Sequence, residues 1–139
     1  MSIKLYGYWR STASYRVRIA LNLKGVEYDY VPVHLVNNGG EQHSSEYSQL
    51  NPAHLVPTLV DDDEDIILNQ SLAIIEYLDE RYESEYRLIP EHRTERARVR
   101  ALAQDIACDI QPIGNLRVLN ALKGNFEASQ DDVAKWAAH

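Results

Sequence analysis

The sequence predicts an α/β domain followed by a helical segment. Three observations carry this. A strand–helix–strand pattern occupies residues 3–33. Two short apolar runs separated by acids then lead into a second helical pattern. After a polar connector, apolar residues recur at helical spacing from Glu91 to about Ala121. The expected order is β-α-β, a loop, β-β-α, then helices.

Residues 3–7 form the first expected strand. Residues 12–24 form the first helix, with Tyr15, Ile19, Ala20 and Leu23 as its apolar stripe and Gly25 just past its end. Glu27 to Val33 alternates Tyr28, Tyr30 and Pro32 against Asp29, Val31 and Val33, which reads as a second strand parallel to the first. Asn37 to Asn51 is polar, holds Gly39-Gly40, and reads as a long functional loop.

Pro57 to Val60 and Ile66 to Leu68 read as two strands. The acids Asp61 to Asp65 between them mark a solvated hairpin turn, since a metal would need further converging ligands. Ser71 to Tyr82 is helical, with Ile74, Ile75 and Leu78 on one face. The connector Tyr82 to Pro90 separates two domains, placed at 1–83 and 88–139. In the second, Val99, Leu102, Ala103, Ile106 and Ile110 form a stripe, and Pro112 and Gly114 predict a kink. Arg93, Arg96, Arg98 and Arg100 read as a solvated face beside Glu91 and Glu95. Residues 131–139 begin another helix, capped by Ser129.

Composition narrows the function classes. The net charge is −7 and no basic stripe with interleaved aromatics occurs, which argues against nucleic acid. The one cysteine, Cys108, rules out an internal disulfide framework and a cysteine-based metal cluster, and it fits a reducing compartment. No apolar run approaches a membrane span. The N-terminus enters a strand without a leader pattern, so a cytoplasmic protein is expected.

The stretch from Tyr8 to Leu21 carries the most chemistry. Hydroxyls at Ser11, Thr12 and Ser14 gather where a helix begins, at free N–H groups and the positive end of the dipole. That setting suits an anion, in particular a thiolate kept ionised near neutral pH. The same residues serve equally as an ordinary N-cap, and the stretch alone leaves both readings open. Two more motifs stand out: Leu55-Val56-Pro57-Thr58-Leu59, and Asn69-Gln70-Ser71 opening a helix.

Together with the element order, these motifs resemble the glutathione transferases. Arg10-Ser11-Thr12-Ala13-Ser14-Tyr15-Arg16-Val17-Arg18-Ile19-Ala20-Leu21 is similar to the zeta class, which contains maleylacetoacetate and maleylpyruvate isomerases. The resemblance runs through Asp109-Ile110-Gln111-Pro112. It implies a thioredoxin-like N-terminal domain and an all-α C-terminal domain, of which this chain would hold only part. It implies glutathione as cofactor and a small dicarboxylic diketo acid as substrate. The implied reaction is cis–trans isomerisation of maleylacetoacetate to fumarylacetoacetate in tyrosine and phenylalanine catabolism, or of the analogous maleylpyruvate. A homodimer formed through the helical region is also implied.

Roles carry over residue by residue. Ser11 would donate to the glutathione sulfur and favour the thiolate, with Thr12 in support. Arg10 would meet a substrate carboxylate, or else pair with a surface acid. Val56, before a cis Pro57, would pair its backbone with the cysteinyl unit of glutathione, like an added strand. Gln70 and Ser71 would hold the γ-glutamyl carboxylate, although Ser71 also suits a cap. Gln42 matches a further glutathione contact. Gln111, Asn115, Leu116 and Arg117 match positions bordering the site, and Gln111 equally fits backbone satisfaction near the kink. Ala13 stands where the family usually has a cysteine. A general glutathione conjugase or dehalogenase, and a non-catalytic module of the same fold, remain as alternatives; Arg10 favours the isomerase.

Overall fold

The computed structural model describes residues 2–138; Met1 and His139, the latter at the end of the last expected helix, lie outside them. The chain divides into two compact units, residues 1–90 and 91–139.

The first unit is a four-stranded mixed sheet with helices. Its strands are β1 (Ile3–Gly7), β2 (Asp29–Pro32), β3 (Thr58–Asp61) and β4 (Ile66–Asn69), in the order β2-β1-β3-β4. β1 pairs with β2 in parallel and with β3 antiparallel, and β3 pairs with β4 antiparallel. Its helices are α1 (Thr12–Leu23), α2 (Ser45–Leu50) and α3 (Ser71–Arg81). This is the βαβ-ββα order of a thioredoxin-like domain. The parallel β1–β2 pair follows from the crossover through α1, and the hairpin from the exposed acids Asp62 to Asp65.

Ile3, Leu5, Val17, Ala20, Leu21, Leu59, Ile74 and Leu78 form one buried cluster. β1 alternates buried and half-buried residues along its length, as a strand with one face against helices does. The buried face of α1 differs from the expected one. Ser14, Val17, Ala20 and Leu21 face inward, while Tyr15, Ile19 and Leu23 are exposed. Only Ala20 belongs to both sets. The expected stripe weighed bulk, whereas the small residues Ser14 and Ala20 let the helix approach the sheet. Gly7 shows the same closeness: a Cβ there would sit 3.1 Å from Ser14 Cβ and Oγ and from Tyr30. α1 ends in a Schellman motif, with Val26 N–H donating to Leu21 O, Gly25 N–H donating to Asn22 O, and Gly25 at φ +66°.

The second strand is shorter than the expected 27–33. The stretch 37–51 is not an open loop. Two short 3₁₀ turns, Asn37–Gly39 and Glu41–His43, lead into α2, which Ser44 caps by accepting from Tyr47 N–H. The connector after α3 is tied down by charge. Lys24 Nζ donates to Asp79 at 2.9 Å with both side chains inaccessible, and Asp79 also accepts from Leu88 and Ile89 N–H. Burial opposes ionisation of Asp79, but the Leu88 N–H, the Lys24 ammonium and the Ile89 N–H together hold it below the ordinary 3.8.

In the second unit, the expected long helix is broken. α4 (Arg93–Gln104) widens into π-type turns over Asp105–Ile110 and tightens into 3₁₀ turns over Gln111–Gly114. α5 (Leu116–Asn125) then starts afresh, with the Asn115 side chain accepting from Val118 N–H. Pro112 and Gly114 therefore end a helix rather than kink it. α6 (Gln130–Ala137) opens on a capping box made by Ser129 and Asp132, as the expected Ser129 cap requires. Trp136 Nε1 donates to Ile113 O at 2.8 Å and ties α6 back to the break. Among the described residues, no helix is long and apolar enough to cross a membrane.

Candidate functional site

Sheet register brings the three motifs of the first unit to one end of the sheet. Tyr6 of β1 stands opposite Thr58 of β3, and Thr58 stands opposite Asn69 of β4. Just past this row, β1 leaves toward Ser11, β3 enters from Val56-Pro57, and β4 leaves toward Gln70-Ser71. Sequence distance is erased by antiparallel pairing alone.

Ser11 caps α1, its Oγ accepting from Ser14 N–H at 3.1 Å. A hydroxyl has one hydrogen to donate besides its lone pairs, so capping leaves the Ser11 O–H available to an anion. The two sequence readings of Ser11 are thus compatible. Thr12 is the exposed first residue of the helix. Ser14 is different: it is fully buried, and its Oγ accepts from Tyr8 N–H. It shapes the turn from within. Arg10 is exposed, with its guanidinium 5.5 Å from the centre of the Trp9 ring.

The Val56–Pro57 peptide is cis. The β1–β3 ladder stops at Thr58, and no loop backbone bond among the described residues takes up the Val56 N–H or C=O. The edge is therefore open to an extended partner. A buried polar network fixes it. Tyr47 O–H donates to Leu55 O, and Asn51 Nδ2 donates to Leu55 O at 2.9 Å and to Thr58 Oγ1 at 3.1 Å. With the Tyr47 proton so used, the Thr58 hydroxyl donates to the Tyr47 oxygen at 2.9 Å. Burial pushes the Tyr47 phenol up. Asn51 and Thr58 are almost wholly inaccessible.

Gln70 is the N-cap of α3, at φ 69° and ψ 106°, and its side chain makes no capping bond. A non-glycine residue at positive φ is held there by its surroundings, and such positions collect at binding sites. The first N–H groups of α3 have no side-chain cap. Ser71 is buried, and its Oγ accepts from Arg16 Nη1 at 2.8 Å. Gln42 folds over Gly40, where an added Cβ would lie 2.6 Å from its Nε2, which donates to Leu35 O. Its Oε1 is buried with no partner.

The sheet end thus gathers Ser11, Thr12, Val56, Pro57, Gln70 and Ser71. Gln111 and Asn115 belong to the second unit, where Asn115 caps α5. Two features escaped the sequence reading. Arg16 lay in plain view within the first motif but carries no assigned role from spacing. Tyr47 and Asn51 lay in a stretch read as loop; Ser44 followed by Tyr47 at cap distance was the available signal.

A family model for the glutathione S-transferase N-terminal domain matches residues 5–86. The chain belongs to the glutathione S-transferase family. Within that family its similarity runs to the zeta class. It is 54% identical over 139 residues to a probable maleylacetoacetate isomerase of Vibrio cholerae, covering 100% of this chain and 63% of that relative. The structure of a bacterial zeta-class maleylpyruvate isomerase superposes with a TM-score of 0.87 at 46% identity, covering 96% of this chain and 61% of that one. A maleylacetoacetate isomerase of Methylobacterium extorquens, with bound malonate and glutathione, superposes with a TM-score of 0.89 at 42% identity, again covering 96% and 61%. The chain therefore spans less than two thirds of the length of these relatives.

Proposed function

We propose that the protein is a glutathione-dependent cis–trans isomerase of a maleyl diketo acid, maleylacetoacetate or its maleylpyruvate analogue. The observation that carries this reading is the convergence at one sheet end of a free Ser11 hydroxyl, an open Val56 backbone edge and an uncapped α3 start. A tripeptide with an extended middle, a carboxylate at one end and a thiol beside α1 meets a complementary group at each place. The malonate and glutathione bound in the Methylobacterium relative fit this class of ligand and substrate.

Bound glutathione supplies a thiolate whose reversible addition turns the cis double bond into a single bond that rotates freely. The chain's residues do the rest. Ser11 donates to the sulfur and, with the α1 dipole, favours its ionised form. Thr12 supports this from the same turn. Val56 and Pro57 orient the cysteinyl unit, Gln42 contributes from the 3₁₀ turn before α2, and Gln70 and Ser71 hold the γ-glutamyl end. Arg10 receives a substrate carboxylate, which an apolar electrophile would not require.

Residues 1–83 are the glutathione-binding domain in this reading, and 88–139 belong to the helical domain. The exposed Val99, Leu102, Ile106 and Ile110 of that part suit a homodimer interface, and the protein is assigned to the cytoplasm. The test is product formation from maleylacetoacetate with and without glutathione. Ser11→Ala is expected to cost about 100-fold in rate. Conversion that is independent of glutathione, or unchanged in Ser11→Ala, contradicts the reading.

A further inference from the structure

The direction of one hydrogen bond assigns a task to Arg16. Guanidinium carries donors and no acceptor, so in the 2.8 Å contact Arg16 Nη1 donates and Ser71 Oγ accepts. Ser71 is buried and sits at the first position of α3, where the backbone N–H groups also lack a side-chain cap. Once Oγ accepts from Arg16, the Ser71 hydrogen is turned away from the guanidinium, toward whatever acceptor occupies the helix start. We propose that Arg16 is a positioning residue for the anion pocket at the start of α3. Its donation to Ser71 Oγ aims the Ser71 hydroxyl at the γ-glutamyl carboxylate of glutathione.

This rests on the glutathione reading above and deepens it. Arg16 lies on the same helix that Ser11 opens, so one helix serves both ends of the ligand: its start faces the thiol, and its second turn braces the carboxylate pocket. The guanidinium also adds positive charge beside the positive end of the α3 dipole, which favours a carboxylate there. Lysine at this position would keep charge but lose the planar fork that fixes the direction of donation.

The experiment is calorimetric titration of the 139-residue chain with two ligands. One is glutathione. The other is the same tripeptide with γ-aminobutyrate replacing the γ-glutamyl unit, which deletes only that carboxylate. Arg16→Gln is expected to weaken glutathione about tenfold while leaving the analogue within about twofold. Arg16→Lys should fall between wild type and Arg16→Gln for glutathione. In the Ser71→Ala background, Arg16→Gln should weaken glutathione by less than it does in wild type, because the larger part of its effect passes through the Ser71 hydroxyl and only the charge remains. If the wild-type chain binds glutathione and Arg16→Gln binds it equally well, the inference is overturned. Equal loss of both ligands also overturns it, since that marks a structural role. Absence of saturable glutathione binding to wild type overturns the glutathione reading itself, and this inference with it.

Discussion

Residues 1–90 gather eight buried apolar side chains around the middle of one sheet, whereas among the described residues of 91–139 only the apolar Val133 is buried. The first unit is held by a shared core and a few buried polar links. The second is held by caps local to its helices, at Asn115 and at Ser129–Asp132, and by the Trp136–Ile113 bond from α6 to the break. Val99, Leu102, Ile106 and Ile110 stay exposed there. The comparison teaches where mutations should matter. A core redistributes a loss over many contacts and unfolds as one body; local caps fail one helix at a time.

The largest expected effects fall on the first unit, and one of them breaks its buried ion pair. Lys24→Met leaves Asp79 inaccessible without its ammonium partner, and urea unfolding should show a loss of about 3 kcal/mol. The Leu88 and Ile89 N–H bonds keep it near the lower end of such losses. Acid should act through the same carboxylate. Its folded pKa is lowered, so its contribution is complete above the ordinary carboxylate value and drains away as pH falls through the lowered one. The stability of wild type should therefore fall below about pH 4, and that of Asp79→Asn should fall less steeply.

The core gives an effect of the same size. Leu59→Ala on a central strand, at a fully inaccessible position, should cost about 2–5 kcal/mol by denaturant unfolding. Leu102→Ala, 63% exposed in α4, is the contrast and should stay within about 0.5 kcal/mol in the monomer. A Leu102→Ala effect as large as that of Leu59→Ala would erase the distinction between the units. The smallest resolved effect belongs to the caps. Ser129→Ala should cost about 1 kcal/mol of α6 helix stability, read by circular dichroism, without moving the unfolding of the sheet.

Much of this architecture was legible because the relevant rules are local. The strand at 3–7, the acidic hairpin, Ser11 and Ser129 as caps, and Gly25 past α1 all follow from residues within a few positions of one another. The misreadings have a common cause. On α1, packing distance rather than side-chain bulk chose the inner face, so Ser14 outranked Tyr15. In 37–51, polar composition concealed a helix whose one inward anchor, Tyr47, is itself tied to Thr58 across the fold. The break before α5 fell at Pro112 and Gly114, where the sequence offered a kink and a stop alike. The site divides along the same line. Ser11, Val56-Pro57 and Gln70-Ser71 were visible as motifs, but the Arg16–Ser71 bond joins residues fifty-five positions apart and had no local signature.

The central claim is that three separate motifs form one glutathione site at one end of the sheet. The most direct test is a glutathione titration of the isotopically labelled chain, following the backbone amide resonances of Ser11, Val56 and Ser71. We expect all three to shift together along one saturation curve, with the amide of Asp63 at the opposite end of the sheet unmoved. Shifts confined to a single motif, or three curves with different midpoints, would contradict a common site.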